Sequence, residues 1–174
     1  MTTIGVSLAV PDPWGAELQR YRVSLGDDAA AGIPAHITLL PPVEVEEGLL
    51  AGVDAHLREV AASCPPYPVR LRGTGTFRPV SPVVFINVVE GISCCEVLAA
   101  SLRQGPLGVE AAFPYHPHVT IAHHLGEDVL DRAFEELAHY DLSFGVDRFV
   151  LYRHHGDVGW VPDQEYLLTG RRSA

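Results

Sequence analysis

The sequence contains the same short pattern twice, a histidine and a threonine that alternate with apolar residues. The first copy runs from His36 to Leu39 and the second from His118 to Ile121. Both copies lie in stretches rich in β-branched residues, so each is expected to form a strand. Because side chains alternate between the two faces of a strand, each histidine shares a face with its threonine. The chain must therefore fold so that two strands bury one face and keep the other polar.

The two copies supply side chains suited to proton transfer and to anion binding. Histidine has an ordinary pKa of about 6.5, so one imidazole can accept a proton near neutral pH while another donates one. The hydroxyls of Thr38 and Thr120 can donate hydrogen bonds to phosphate oxygens. We therefore take His36 and His118 as candidate catalytic residues and the two threonines as candidate substrate-binding residues. The alternative interpretation is that each histidine only covers the solvated face of a half-buried strand.

The duplicated pattern resembles the signature of the 2H phosphoesterase superfamily, which includes 2′-5′ RNA ligase-like proteins and 2′,3′-cyclic phosphodiesterases. Both copies match its two His-hydrophobic-Ser/Thr-hydrophobic motifs, and the segments 4–11, 73–89 and 149–153 resemble the family more loosely. The resemblance implies an α+β, bilobal fold in which two pseudo-symmetric lobes, each with an antiparallel sheet and flanking helices, surround a central cleft. It also implies one domain over residues 1–174, built of two intertwined lobes.

The resemblance also implies an activity. It is the hydrolysis of a 2′,3′-cyclic phosphate, or of a 2′-5′ linkage, on a nucleotide or an RNA end, by two histidines and without a metal or cofactor. One alternative is a module that binds a nucleotide or phosphate without turnover. Another is a metal-binding protein built on the further histidines, such as His116, His123 and His124, although no HExxH or similar spacing is present. The intact motifs favour the enzyme, because a pure binder needs no proton-transfer groups.

Further basic and aromatic residues could line the same cleft. Residues 69–77 alternate, with apolar side chains on one face and Arg72 and threonines on the other. Arg72, Arg78 and Arg153 are candidates for binding phosphate, and Tyr115 could stack on a base or close the cleft. For each of them, a place at the solvated rim explains the pattern equally well.

Charge limits the expected partner. The formal net charge is −10, and all basic charge rests on arginine and histidine because the chain contains no lysine. Contacts to a long polyanion require many cationic side chains, so we expect a small cyclic-phosphate nucleotide or a short RNA end as partner. No segment approaches the ~20 apolar residues of a membrane span, and the cysteine spacing suits neither disulfides nor zinc. We therefore expect a cytoplasmic monomer with no membrane partner.

The remaining pattern predicts strands and helices that follow in a similar order around each motif, as in an ancient duplication. Helical spacing and helix-end signals predict helices at 14–23, 46–63, 93–104 and 127–140. Other strands are expected at 69–77, 83–89, 142–154 and 160–168. Pro41 and Pro42 are expected to end the first motif strand, because proline cannot donate to a strand ladder.

Overall fold

The computed structural model describes residues 1–110 and 113–171, in which strands and helices follow one another around one sheet. The strands are β1 (Thr2–Ala9), β2 (His36–Val45), β3 (Tyr67–Thr76), β4 (Val83–Glu90), β5 (His118–His123), β6 (Asp141–Val146), β7 (Arg148–His155) and β8 (Gly159–Leu167). The α-helices are α1 (Trp14–Ser24), α2 (Leu50–Ser63), α3 (Ile92–Leu102) and α4 (Glu127–Glu136).

All eight strands form one antiparallel sheet, in the order β6-β3-β4-β5-β2-β1-β7-β8. The motif strands β2 and β5 are neighbours at its centre, where a short pairing sets Ile37 opposite Val119. This junction divides the sheet into lobe 1 (β2, β1, β7 and β8) and lobe 2 (β5, β4, β3 and β6). The α+β class is confirmed, and the two antiparallel sheets that the resemblance implies are two halves of one continuous sheet.

The expected alternation is present in both motif strands. Ile37 and Leu39 of β2 and Val119 and Ile121 of β5 are completely buried, while the histidines and threonines between them are half-buried. The buried side chains belong to one apolar cluster that receives residues from all four helices, among them Leu18, Leu57, Leu98 and Leu130. Burying this apolar face fixes the opposite, polar face of β2 and β5 as the open one.

The expectation that Pro41 and Pro42 end the first motif strand is wrong, since β2 continues to Val45. Ile4 of β1 pairs with Val43 of β2, and Val6 pairs with Leu40. This interval therefore spans three residues in β2 but two in β1. The extra residue makes a β-bulge, and a bulge is a position in a sheet where proline is tolerated because a ladder bond is already missing.

The expectation of a single strand at 142–154 is also wrong. The chain forms two strands there, β6 and β7, which are separated by Asp147. β6 pairs with β3 in lobe 2, whereas β7 pairs with β1 in lobe 1, so the chain crosses between the lobes at this point. The helix expected at 127–140 ends earlier, at Glu136. None of the helices in the described ranges combines the length and apolarity needed to cross a membrane.

Helix α1 packs closely against the chain that follows β1, and this approach requires a glycine. A Cβ atom at Gly15 would overlap the carbonyl oxygen of Val10, so no other residue fits without moving the helix. Gly52 in α2 offers a contrast, because nothing lies within 4 Å of the Cβ position there.

We therefore expect opposite effects from the same substitution in these two helices. Gly15→Ala should lower the free energy of unfolding by about 1–3 kcal/mol, since overpacking forces the backbone to shift. Gly52→Ala should raise it by about 0.5–1 kcal/mol, because alanine is the better helix former. Urea denaturation of both variants measures the two changes. Equal effects would contradict the close packing of α1.

Candidate active site

The register of β2 and β5 brings the two motifs together. Because Ile37 lies opposite Val119 in an antiparallel pair, each motif histidine stands opposite the threonine of the other strand. Directly opposite side chains have Cβ atoms about 4.5–5.5 Å apart. The four polar side chains therefore form two short rows related by an approximate two-fold axis: His36, Thr38, His118 and Thr120.

Both imidazoles are held in the same way by the backbone just before their own strand. Nδ1 of His36 lies 2.6 Å from the carbonyl oxygen of Pro34, and Nδ1 of His118 lies 2.7 Å from the carbonyl oxygen of His116. A carbonyl oxygen can only accept, so Nδ1 must carry the hydrogen and donate it. In each neutral ring, Nε2 is therefore the nitrogen with a free lone pair, and it is the one available to exchange protons.

A cavity of about 240 Å³ opens beside the motif rows. His36, Thr38 and Thr120 line it, together with residues from β1, α1, β7 and β8. The lining residues that were not expected from the sequence include Ser7, Arg22 and Trp160. Ser7 lies opposite Thr38 on β1, so its hydroxyl shares the polar face of the central strands.

His118 is absent from the described lining of this cavity; it stands opposite Thr38, which does line it, and packs against two aromatic rings. Its ring centroid is 5.0 Å from that of Phe77 and 5.1 Å from that of Phe85, and the two phenylalanines contact each other at 4.4 Å. Gly75 leaves room for this arrangement, because a Cβ atom there would lie only 2.5 Å from the Phe85 ring. The apolar rings fix the orientation of the imidazole and remove water from one side of it.

Burial lowers the pKa of both motif histidines below its ordinary value. For His36, desolvation is opposed by the hydrogen bond to Pro34 and reinforced by the positive charge of Arg22. For His118, desolvation is opposed by the hydrogen bond to the carbonyl of His116, while positive charge on the His116 or His36 ring lowers its pKa further. Each imidazole therefore favours its neutral form in the free protein, and an anion placed between them would favour protonation.

Arg22 of α1 is the most unusual residue of the cavity wall. The side chain is only 7% exposed, and its Nη2 lies 3.1 Å from Oδ2 of Asp27. Its Nε has no hydrogen-bond partner among the residues that the structure describes. The sequence contains a signal for this residue, because Arg22 occupies the helical position between the buried Leu18 and Leu25 where an apolar side chain is expected.

The three arginines singled out from the sequence are not part of the cavity lining. Each one forms an ion pair instead: Arg72 with Asp141, Arg78 with Glu127 and Asp131, and Arg153 with Asp163. The pairs of Arg78 and Arg153 are as short as 2.7 and 2.8 Å, and that of Arg72 is 3.9 Å. These carboxylates offset much of the positive potential that the arginines would offer to a phosphate.

Tyr115 supports the first motif through the backbone. Its hydroxyl donates a hydrogen bond of 2.9 Å to the carbonyl oxygen of Thr38, and the guanidinium of Arg103 lies 5.3 Å from its ring centroid. The residue thus ties the chain before β5 to the middle of β2, and it is absent from the described cavity lining. Across residues 1–110 and 113–171, no three His, Cys, Asp or Glu side chains converge in a metal-binding arrangement.

The backbone hydrogen bonds predict an unusual tautomer for both histidines. At a pH where the rings are neutral, we expect His36 and His118 to carry their hydrogen on Nδ1, since the carbonyls of residues 34 and 116 accept from that atom. Long-range ¹H–¹⁵N correlation spectra measure the tautomer directly, with a histidine-containing peptide as reference. Resonances typical of a hydrogen on Nε2 would contradict this arrangement.

The sequence matches the family model described as the 2′-5′ RNA ligase superfamily over residues 10–158. Similar proteins include "Putative phosphoesterase GK0864" of Geobacillus kaustophilus, which is 30% identical over 150 residues that cover 84% of this chain and 86% of the relative. The "Putative phosphoesterase" of Geobacillus thermodenitrificans is 28% identical over 149 residues, with coverage of 84% and 86%.

Solved structures have the same fold. TT0787 of Thermus thermophilus superposes with a TM-score of 0.72 at 23% identity, over 99% of this chain and 100% of the other. E. coli LigT complexed with NADP+ gives a TM-score of 0.71 at 19% identity, over 97% and 98%. The family model spans both histidine motifs and the strands from β2 to β7. The chain therefore belongs to the 2′-5′ RNA ligase superfamily of 2H phosphoesterases.

Proposed function

We propose that the protein hydrolyses a 2′,3′-cyclic phosphate on a nucleotide or an RNA end, with His36 and His118 as the proton-transfer groups and without a metal. The observation that carries the proposal is the matched pair of imidazoles. Each donates from Nδ1 to the carbonyl two residues upstream, which leaves its Nε2 available for proton transfer; His36 lines the cavity, and His118 stands opposite Thr38, which also lines it. A 2′-5′ linkage would present the same phosphodiester to these groups.

The chemistry needs one neutral and one protonated histidine. The neutral Nε2 accepts a proton from water as the water oxygen attacks phosphorus, and the bond from phosphorus to one ribose oxygen breaks. The protonated imidazole donates its Nε2 hydrogen to that oxygen, so a hydroxyl and a phosphomonoester are formed. Thr38 and Thr120 donate hydrogen bonds to the non-bridging oxygens, where negative charge increases in the transition state.

The surroundings of the two histidines favour His36 as the base in this direction. Arg22 places a permanent positive charge near His36, which disfavours its protonated form. The neighbours of His118 are the rings of Phe77, Phe85 and His116, none of which is permanently charged. Because the two histidines interact, the measured pKa values will belong to the pair rather than to either residue.

The size of the cavity supports a small or terminal nucleotide as substrate. Its volume of about 240 Å³ lies below the ~300–1,000 Å³ typical of pockets for drug-sized ligands. The net charge of −10 also weakens attraction to a long polyanion. Among the structural neighbours, E. coli LigT has been crystallised with 3′-AMP, ATP and NADP+, which supports a nucleotide as ligand of this fold.

Substitution of the motif residues tests the proposal. His36→Ala and His118→Ala should each lower kcat/KM for a 2′,3′-cyclic nucleotide by about 100- to 10,000-fold, the contribution of a general acid or base. Thr38→Ala and Thr120→Ala should lower it by about 10- to 100-fold, because each loses one hydrogen bond to a charged group. His139→Ala, a change at an exposed histidine outside the described cavity lining, is the matched control and should have little effect.

The same assay in EDTA separates this chemistry from its alternatives. Activity should be unchanged by the chelator, and its loss would indicate a metal-dependent reaction. Wild-type turnover in His36→Ala would contradict the two-histidine mechanism. Tight nucleotide binding without any turnover in the wild-type protein would instead identify a binding module.

The lowered histidine pKa values predict an acidic optimum for kcat/KM, which reports on the free enzyme. As pH rises, activity increases when the base loses its proton and decreases when the acid loses its proton. Burial lowers both pKa values below the ordinary value of about 6.5, so both limbs move to lower pH and the maximum should lie below pH ~6.5. The optimum for kcat should lie higher, since bound phosphate favours protonated imidazoles. A kcat/KM maximum above pH ~7 would contradict the assignment.

A further inference from the structure

Arg22 brings a buried positive charge to a cavity of a strongly acidic protein. It is the one arginine or lysine among the described lining residues, and Asp27 occupies only one of its nitrogens. A guanidinium carries five N–H donors, and its Nε has no partner within residues 1–110 and 113–171. A buried donor without a partner costs free energy, so the residue has unused capacity for a ligand.

Arg22 lines the same cavity as His36, Thr38 and Thr120 but belongs to a different element, α1. The four motif side chains already supply two proton-transfer groups and two hydroxyl donors to the reacting phosphate. The lining that contains Arg22 extends along β5 from Thr120 to His123, which ends the strand three residues further on. Three strand residues span ~10 Å, a distance on the scale of one nucleotide. The cavity beside Arg22 therefore extends along β5 over a length that can hold a second phosphate next to the reacting one.

We propose that Arg22 binds a second phosphate of the substrate, so that the preferred substrate carries a phosphate adjacent to the one that is hydrolysed. The proposal rests on the proposed function and names its substrate class, a nucleotide with phosphates on both sides of the ribose. The planar guanidinium suits such a group, because it can donate two parallel hydrogen bonds to one phosphate.

Asp27 explains how the site stays folded when no ligand is bound. Its side chain is 14% exposed and its carboxylate accepts from Nη2, so the buried guanidinium is neither uncompensated nor free to turn. The same carboxylate repels an incoming phosphate. Removing its charge should therefore strengthen binding of the second phosphate, whereas removing the charge of Arg22 should abolish the preference for it.

Calorimetric titration tests the proposal without any turnover. The two probes are adenosine 3′-monophosphate and adenosine 3′,5′-bisphosphate, together with the corresponding 2′ compounds. We expect wild-type protein to bind the bisphosphate about tenfold more tightly. Arg22→Gln should bring the ratio of the two Kd values close to one. Arg20→Gln, which removes the same charge from an exposed position of the same helix, should keep the wild-type ratio.

Asp27→Asn provides a second variant that retains Arg22, and it should increase the preference for the bisphosphate by several-fold. This variant decides the question if Arg22→Gln does not fold. Equal Kd values for the two probes in the wild-type protein, or an unchanged ratio in Arg22→Gln, would overturn the role of Arg22. Hydrolysis of a cyclic nucleotide alongside equal Kd values would overturn this inference alone and leave the proposed function standing.

Discussion

A short backbone pairing between β2 and β5 holds the two halves of the site together. Side chains in a strand repeat every two residues, so a slip of one residue at the Ile37 and Val119 pair would exchange the faces of a motif. Such a slip would bury an imidazole and expose completely buried aliphatic side chains. The hydrophobic core therefore fixes the register, and the register fixes which polar groups face each other.

The surroundings make two similar histidines different. Each imidazole donates from Nδ1 to the backbone carbonyl two residues upstream, but one lies near a buried guanidinium and the other against two phenylalanine rings. The near-symmetry of the lobes supplies two imidazoles held in the same way, and their different neighbours give them two different environments. The backbone carbonyls hold the two imidazoles in the same way. Arg22 of α1 and the phenylalanines Phe77 and Phe85 of lobe 2 make their surroundings different.

The sequence predicts the parts of the molecule that depend on local periodicity. The two motif strands, their buried faces and the α+β class follow from alternation and helical spacing, because these patterns act over a few residues. The pairing of strands that are distant in the sequence cannot be predicted from such local patterns. The bulge at Pro41 and Pro42 depends on the pairing with β1, and the division of β6 from β7 depends on strands far away in the chain. The ion pairs of Arg78 could not be predicted from local patterns either, because its carboxylate partners lie on α4.

Because the chain crosses between the lobes after β6, one lobe is formed by a continuous segment of the sequence and the other is not. Lobe 2 is built from the uninterrupted segment 67–146, whereas lobe 1 combines β1 and β2 with the last two strands. During synthesis, lobe 2 has all of its strands before β7 and β8 have left the ribosome. At that stage β2 can pair with β1 and β5, but β1 does not yet have β7 as its second neighbour. Closing lobe 1 therefore requires a pairing between residues far apart in the sequence, such as Ile4 with Arg153, and contacts of this kind are slow to form because a long loop must close first.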